Sequence, residues 1–406
     1  MKKSKLLIIL LSSAFAARII FALMFVDLES ENYWEFGELA KNVLDGKDYS
    51  LFYPTEEGVG FRSVDTDSPR PSAYMPPGYP GVLIPFMLIE NIVLRNMMIM
   101  IFQALLSVIA MYLLYRYTLL RFNEKTALIA AAIYAFLPEF IYASTSYGSV
   151  IIYHIAVSAM TMLMIRLENS DKTRDFIYAG LLLGGTMYFR PEFILFFAMF
   201  SVMLLRSGKM KKLILSFIIA FLCVLPWQIR NYYVFDEFVP MTTSGGQNFY
   251  RGHNPYRPGM WCDDEMVNNI KKLQADNKYE LRLSKMYYGY AFRTIIEAPA
   301  DEISRSAEKL FHLFLVNPYD DRTENLAYLL PWGLLIVFSI LAVYKSRKNT
   351  DNRQLYLFLA YHAILAVVFF AIPRYQAMMK IILIPYAACG FMILVDYYFA
   401  RKNTIE

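Results

Sequence analysis

Charge is scarce in this chain. Asp, Glu, Lys and Arg make up 18% of its 406 residues, against about 25% in an ordinary soluble protein. Cysteine is scarcer: there are three. Cys223 and Cys389 lie in apolar runs and Cys262 in a polar stretch. Their spacing suits neither a disulfide framework nor a zinc site, and it leaves the redox compartment open. A Walker loop, a Rossmann glycine pattern and a zinc motif are all missing. No internal repeat or low-complexity segment is evident, which argues against a solenoid. His154 and His362 lie in apolar runs and read as packed side chains rather than ligands.

What the chain has is hydrophobic length. It is 57% hydrophobic and 16% aromatic, with a mean hydropathy of +0.35. Apolar runs of about 20 residues, the length that spans a bilayer as a helix, recur throughout. Ten runs predict helices near 6–26, 96–116, 126–144, 149–166, 174–190, 193–206, 212–229, 327–345, 355–372 and 378–399. The expected class is an all-α polytopic membrane protein with about ten transmembrane helices. Several runs are short for a span, which tilt and burial by neighbours accommodate. Lys2-Lys3-Ser4-Lys5 followed by Leu6–Leu11 and Ala14-Phe15-Ala16 imitates a cleaved leader. The apolar run resumes at Ile19–Val26, so a retained first helix is expected.

Basic residues orient the spans. With the N-terminus inside, the inner loops are Arg116–Lys125, Arg166–Arg174, Arg206–Lys212, Lys345–Arg353 and the Arg401-Lys402 tail. All are basic, as inner loops should be. The net charge of +5 therefore reads as an orientation signal, not as affinity for nucleic acid. This count requires that Pro80–Val93, apolar but short and broken by proline, does not cross. The outer side then holds residues 27–95, turns near 145, 191 and Arg374, and a long loop, 230–326.

Chemistry is sought in those outer segments. Phe36, Leu39, Ala40, Val43 and Leu44 recur at helical spacing up to Gly46, predicting an amphipathic helix on the membrane surface. Glu31, Glu35 and Glu38 share its other face, and Asp27 and Glu29 precede it. A carboxylate there can take a proton from an acceptor hydroxyl; the same acids also suit a solvated helix face. Arg18 sits inside the first apolar run, where a cation needs a partner or snorkels to the interface. Arg190 in Arg190-Pro191-Glu192, Arg230 after Pro226-Trp227, and Arg374-Tyr375 after Pro373 converge on the outer face. Arginine binds phosphate through forked hydrogen bonds, and these equally suit interface anchors. The long loop opens on Thr242–Pro255, whose Gly246, Asn248, Tyr250, His253 and Asn254 suit sugar binding or an ordinary turn. Asp263-Asp264-Glu265 leaves a divalent cation open; a solvated loop is the simpler reading.

In order, these motifs resemble a family. The run Leu39–Tyr49, then Pro76-Pro77-Gly78-Tyr79-Pro80, Arg190-Pro191-Glu192, Pro226–Tyr232, Gly246–Pro255 and Arg374-Tyr375 together look like the GT-C glycosyltransferases. The bacterial branch is similar to protein O-mannosyltransferases and the aminoarabinose transferases acting on lipid A. The resemblance implies a seven-helix module over 1–229 with interfacial helices in its first outer loop. An extracytoplasmic loop, 230–326, and C-terminal transmembrane helices, 327–406, follow. It implies transfer of a sugar from a polyprenyl-phosphate carrier to a hydroxyl, with inversion, the acceptor being a lipid, glycan or protein. Glu35 is then the expected base and Glu31 the second choice. Arg18, Arg190, Arg230, Arg374 and Tyr375 would hold the carrier phosphate, and Gly246, Asn248, Tyr250, His253 and Asn254 would contact substrate. No cofactor follows with certainty. The expected setting is a bacterial inner membrane, with the N-terminus cytoplasmic and the site on the extracytoplasmic face. One departure stands out: many relatives carry a Glu where this chain reads Tyr147-Gly148-Ser149-Val150. A flippase or transporter, or a polymerase or ligase of lipid-linked saccharides, is the competing class; transporters often show paired halves, which this chain lacks.

Overall fold

The computed structural model describes residues 2–51, 69–255, 264–274, 276–318, 324–346 and 351–405. Helix α1 (Lys2–Phe25) is followed by α2 (Trp34–Leu44) and a small antiparallel pair, β1 (Ser50–Leu51) and β2 (Arg70–Pro71). Next come α3 (Gly78–Met87), α4 (Ile92–Arg121), α5 (Glu124–Phe136), α6 (Pro138–Ala143), α7 (Val150–Asn169), α8 (Thr173–Met187), α9 (Phe193–Leu204) and α10 (Met210–Phe235). A polar region holds α11 (Gly245–His253), α12 (Asp264–Lys271), α13 (Tyr279–Glu297) and α14 (Pro299–Phe314). The chain closes with α15 (Leu326–Ser346), α16 (Arg353–Val368) and α17 (Pro373–Ile405).

Helices stand at all ten positions where the apolar runs place them. Six of them, α1, α4, α7, α10, α15 and α17, are long and apolar enough to cross a bilayer. Helices α5, α8, α9 and α16 have 13, 15, 12 and 16 residues and are shorter than a full span. Helix α3 has 10 residues, about 15 Å at 1.5 Å per residue, roughly half the hydrocarbon thickness. It does not cross. It lies on α2 and is tied to the end of α8, where Gly78 N donates to Tyr188 O at 2.8 Å. The amphipathic helix expected after the first apolar run is α2, which starts at Trp34, so Glu35 and Glu38 ride on it and Glu31 precedes it.

Sequence chemistry sets the helix ends. Asn91 and Asn123 cap α4 and α5 by accepting from Leu94 N at 2.9 Å and Thr126 N at 3.0 Å, leaving fewer orphan amides. Without a hydrophobic gradient between helices inside lipid, close approach rests on small residues. Gly180 and Gly184, one turn apart on α8, meet α10. A Cβ there would stand 2.6 Å from Ser216 O and 2.5 Å from Cys223 Cβ.

Arg18 shows how the bundle repairs its own breaks. Pro138 has no N–H, so the carbonyls of the last turn of α5 lose helical donors. Arg18, only 1% exposed, reaches across from α1. Its Nη1 donates to Ala135 O at 3.0 Å and Ala14 O at 2.9 Å, its Nη2 to Tyr134 O at 3.3 Å, and its Nε to Ser107 Oγ at 2.6 Å. The guanidinium that the sequence reading assigns to a phosphate is here directed at the α5–α6 break.

Two outcomes follow. Arg18→Met should lower unfolding stability in detergent by about 3 kcal/mol, since charged hydrogen bonds are lost and carbonyls stay buried without donors. An unchanged melting temperature would remove the structural role. Gly184→Leu should cost about 1–3 kcal/mol by forcing α8 from α10, and an equally stable variant would mean the pair has slack.

Candidate active site

A cavity of about 920 Å³ opens at one end of the bundle. Its wall combines the last turns of α1, the segment between α1 and α3, the α6–α7, α8–α9 and α16–α17 turns, and α11. All are ends that the charge pattern assigns to one side. The opposite end carries the basic loops: there Lys209 Nζ donates to Leu167 O at 2.6 Å and Lys212 pairs with Asp171 at 3.1 Å.

Among the described residues, three arginines line the cavity: Arg190, Arg251 and Arg374. Arg190 comes from the α8–α9 turn. Its Nη1 stands 3.3 Å from Glu192 Oε1, its Nη2 2.9 Å from Met378 Sδ, and its guanidinium lies 6.0 Å from the Tyr375 ring centre. Its Nε is buried and has no acceptor among the described residues; an unsatisfied buried donor costs about 1–3 kcal/mol, which an anionic ligand would recover. Burial opposes the charge of Arg190. The Glu192 carboxylate and the Tyr375, Tyr153 and Tyr361 phenols nevertheless hold its pKa above the ordinary value. Arg251 lies on α11 with its guanidinium 4.4 Å from the centre of the Phe370 ring. Burial lowers its pKa, against the pull of Tyr74, Tyr375 and Tyr287. Arg374 is exposed at the start of α17, beside Tyr375, and both line the cavity.

Acids are placed less as spacing suggests. Of the five first-loop acids, Asp27 alone lines the cavity. It closes the end of α1, and its Oδ1 accepts from Glu29 N at 3.0 Å. Glu35 is half-buried on α2 outside that lining; its charge, after burial, helps raise the pKa of Tyr74, a cavity residue. Glu31 is exposed and stands 3.4 Å from Arg95. Two further acids face the cavity. Glu192 is held by Arg190, and Glu139 on α6 pairs with Lys380, a side chain 1% exposed in α17. Lys380 also lies 4.6 Å from the Tyr328 ring centre and 5.0 Å from that of Trp332.

Other expected site residues serve the frame. Arg230 donates to Ser72 O and Tyr49 O, both at 2.7 Å, and stacks 5.1 Å from the Trp227 ring centre. It clips the β1–β2 pair to α10 and does not line the cavity. Opposite it, Glu280 on α13, 2% exposed, accepts from Ser72 Oγ, from Ala73 N at 2.9 Å and from Thr243 Oγ1 at 2.6 Å. So residues 72–74 are gripped from both sides, and Tyr74, donating to Gln247 Oε1 at 2.6 Å, is aimed at the cavity.

Of the long-loop residues, Asn248 lines the cavity. Gly246 lets α11 approach α13: a Cβ there would be 2.2 Å from Ser284 O. Tyr250 packs against Tyr287, with ring centres 5.5 Å apart. Asn254 is buried. His253 Nδ1 meets Glu302 Oε1 at 2.8 Å, and its Nε2 meets Val368 O at 3.0 Å. Arg251 was not singled out in the sequence, although Gly245, Asn248 and Arg251 follow at intervals of three on one short helix. Glu139 was hidden inside an apolar run. Among the described residues, no three His, Cys, Asp or Glu side chains gather as a metal requires. Asp263 lies outside the described residues, as do the side chains of Asp264 and Glu265.

Residues 76–229 match the family model described as dolichyl-phosphate-mannose-protein mannosyltransferase. No curated protein sequence matches significantly. Among solved structures, the Archaeoglobus fulgidus oligosaccharyltransferase AglB with an inhibitory peptide and a dolichol-phosphate superposes with a TM-score of 0.58, at 14% identity, over 100% of this chain and 52% of that one. The oligosaccharyltransferase of that archaeon tethered to an acceptor peptide gives 0.59 at 16% identity, over 99% and 51%. The apo form gives 0.55 at 16% identity, over 99% and 52%. The chain spans about half the length of these structures and shares their fold, the GT-C fold of membrane glycosyltransferases.

The His253–Glu302 pair carries a pH dependence. Burial, then the nearby Lys309, lowers the His253 pKa from 6.5, although Glu302 opposes this. Burial would raise the Glu302 carboxyl, but His253, Lys309 and Arg305 hold it below 4.5. Both groups are therefore harder to protonate folded than unfolded. The stability they give is present above about pH 6.5 and falls with pH, first through His253 and then through Glu302. Melting temperature should drop between about pH 7.5 and pH 5, and His253→Gln should flatten that slope. An unchanged slope in the variant would assign the dependence elsewhere.

Proposed function

We propose that this GT-C-fold membrane protein transfers a sugar from a polyprenyl-phosphate carrier to a hydroxyl acceptor. One observation carries the reading. A single cavity joins an acid at the end of α1 to three arginines from three other elements, and its wall reaches the lipid side through Phe21 and Phe25. Phe25 is 67% exposed. A lipid-linked anion fits that combination: chain along the last turns of α1, phosphate among the arginines. The match of residues 76–229 to the mannosyltransferase model, and the dolichol-phosphate bound in the archaeal neighbour, support a lipid-phosphate donor.

In this reading Asp27 is the base. Its carboxylate takes the acceptor's proton as the hydroxyl oxygen bonds to the anomeric carbon, and the bond from that carbon to the carrier phosphate oxygen breaks. Attack opposite the leaving group inverts the carbon. Carrier phosphate leaves as an anion without a strong general acid, so stabilisation falls to cations preorganised around it. Arg190, Arg251 and Arg374 take that role with Tyr375 beside them, and Asn248 and Tyr74 offer polar contacts to the sugar or acceptor. Glu35 lies on α2 outside the lining and takes no step in this reading.

A second reading, transfer of a lipid-linked oligosaccharide, is favoured by one feature. The volume of about 920 Å³ is near the upper end for small-molecule sites, and the archaeal neighbours are oligosaccharyltransferases.

Purified protein should release free polyprenyl phosphate from a panel of polyprenyl-phosphate monosaccharides, read by mass spectrometry with membrane extracts as acceptor. Asp27→Asn should lower the rate by about 10²–10⁴-fold, as loss of a general base does, with an unchanged melting temperature. Glu35→Gln should retain most of the rate; the opposite ranking would move the base to α2. Arg190→Ala should cost about 10²–10³-fold. No release from any monosaccharide donor, with release from an oligosaccharide donor, would select the second reading.

A further inference from the structure

Helix α14 is amphipathic the wrong way round for water. An outer-loop helix on a soluble surface turns its apolar stripe inward and its charges outward. Here Lys309 and His312 are 1% and 4% exposed, and the Glu302 and Arg305 side chains are only 12% and 13% exposed. Ile303 and Phe311, on the other face at helical spacing with Ala307 between them, are 74% and 52% exposed. The inward polar face is engaged except at Arg305 Nη2, which is buried with no acceptor among the described residues. Lys309 Nζ donates to Gly252 O at 3.0 Å and Val367 O at 2.6 Å, and stands 3.5 Å from Glu302, which also holds His253.

The depth of the helix is also fixed. Gln376, in the first turn of α17, donates through Nε2 to His312 O at 2.8 Å and Leu313 O at 2.9 Å. Trp332, in the second turn of α15, donates through Nε1 to Leu315 O at 2.7 Å. Both partners belong to candidate spans. The C-terminal end of α14 therefore lies level with the first turns of spanning helices. Helix α14 packs against α16, whose Ile364 and Val368 are 41% and 38% exposed.

We propose that α14 is an interfacial helix, lying in the leaflet at the cavity end with Ile303, Ala307 and Phe311 among the lipid acyl chains. This takes part of the 230–326 segment out of water. The leaflet covers the apolar stripe, and the polar face, held against the protein, fixes α11 through His253 and Gly252.

The test uses full-length protein with its three native cysteines replaced by alanine and one cysteine introduced: Ile303→Cys, Phe311→Cys or Asp301→Cys. Each is labelled with a small fluorophore in phosphatidylethanolamine–phosphatidylglycerol vesicles. Labels at 303 and 311 should be quenched severalfold more by lipids spin-labelled near the head of the acyl chain than by aqueous iodide, and the label at 301 should show the reverse. Quenching of 303 and 311 by iodide and not by lipid would overturn the proposal. So would protection from both quenchers with cross-linking between copies, which would put a second copy of the chain on this face.

Discussion

Inside a bilayer a backbone group that loses its helical partner cannot turn to water, and this fold is organised around that constraint. Three helix ends near membrane depth are met by side chains from elsewhere. Arg18 supplies the carbonyls that Pro138 leaves at the end of α5. Gln376 and Trp332 supply those at the end of α14, and Lys309 those at the end of α16. The breaks are useful. Ending α5 early lets α6 turn so that Glu139 reaches the cavity wall, and ending α16 at Val368 forms the corner on which Arg251 rests.

The cavity is assembled by clamps between segments distant in sequence. Glu280 and Arg230 grip residues 72–74 from the two sides of the polar region. Gly252 lets α11 touch the α16–α17 corner so closely that a Cβ would stand 1.6 Å from Phe369 O. No helix supplies more than a fragment of the site, so its geometry is a property of the whole bundle end.

How much of this is readable in the chain follows from what each signal encodes. Apolar run length encodes helix position, so the ten apolar helical runs and the short α3 could be read. Arg190, Arg374, Tyr375 and Asn248, singled out in the sequence, all line the cavity: Arg190 from a turn, Arg374 and Tyr375 from the start of α17, and Asn248 from α11. Direction is not encoded. Arg18 and Arg230 have the composition of phosphate ligands, but their forks meet backbone carbonyls. Gly246 has the composition of a flexible loop and instead seats one helix on another. Spacing does not tell which acid meets the cavity: α2 turns Glu35 outside its lining, and the end of α1 places Asp27 in it. The inverted polarity of α14 needed the partners of its charged face, which lie on α11 and α16.

The wall formed by Phe21 and Phe25 has a kinetic meaning. A molecule that enters past the end of α1 arrives sideways, from a two-dimensional solution. Occupancy then follows the mole fraction of that molecule in the leaflet rather than its molarity in the tube. Adding inert lipid or detergent at constant total amounts would dilute it and depress the rate as an inhibitor would, with nothing bound to the protein. Apparent affinities for a tailed molecule would compare between preparations only at matched surface composition, whereas a water-borne partner entering by the polar mouth would be indifferent to it.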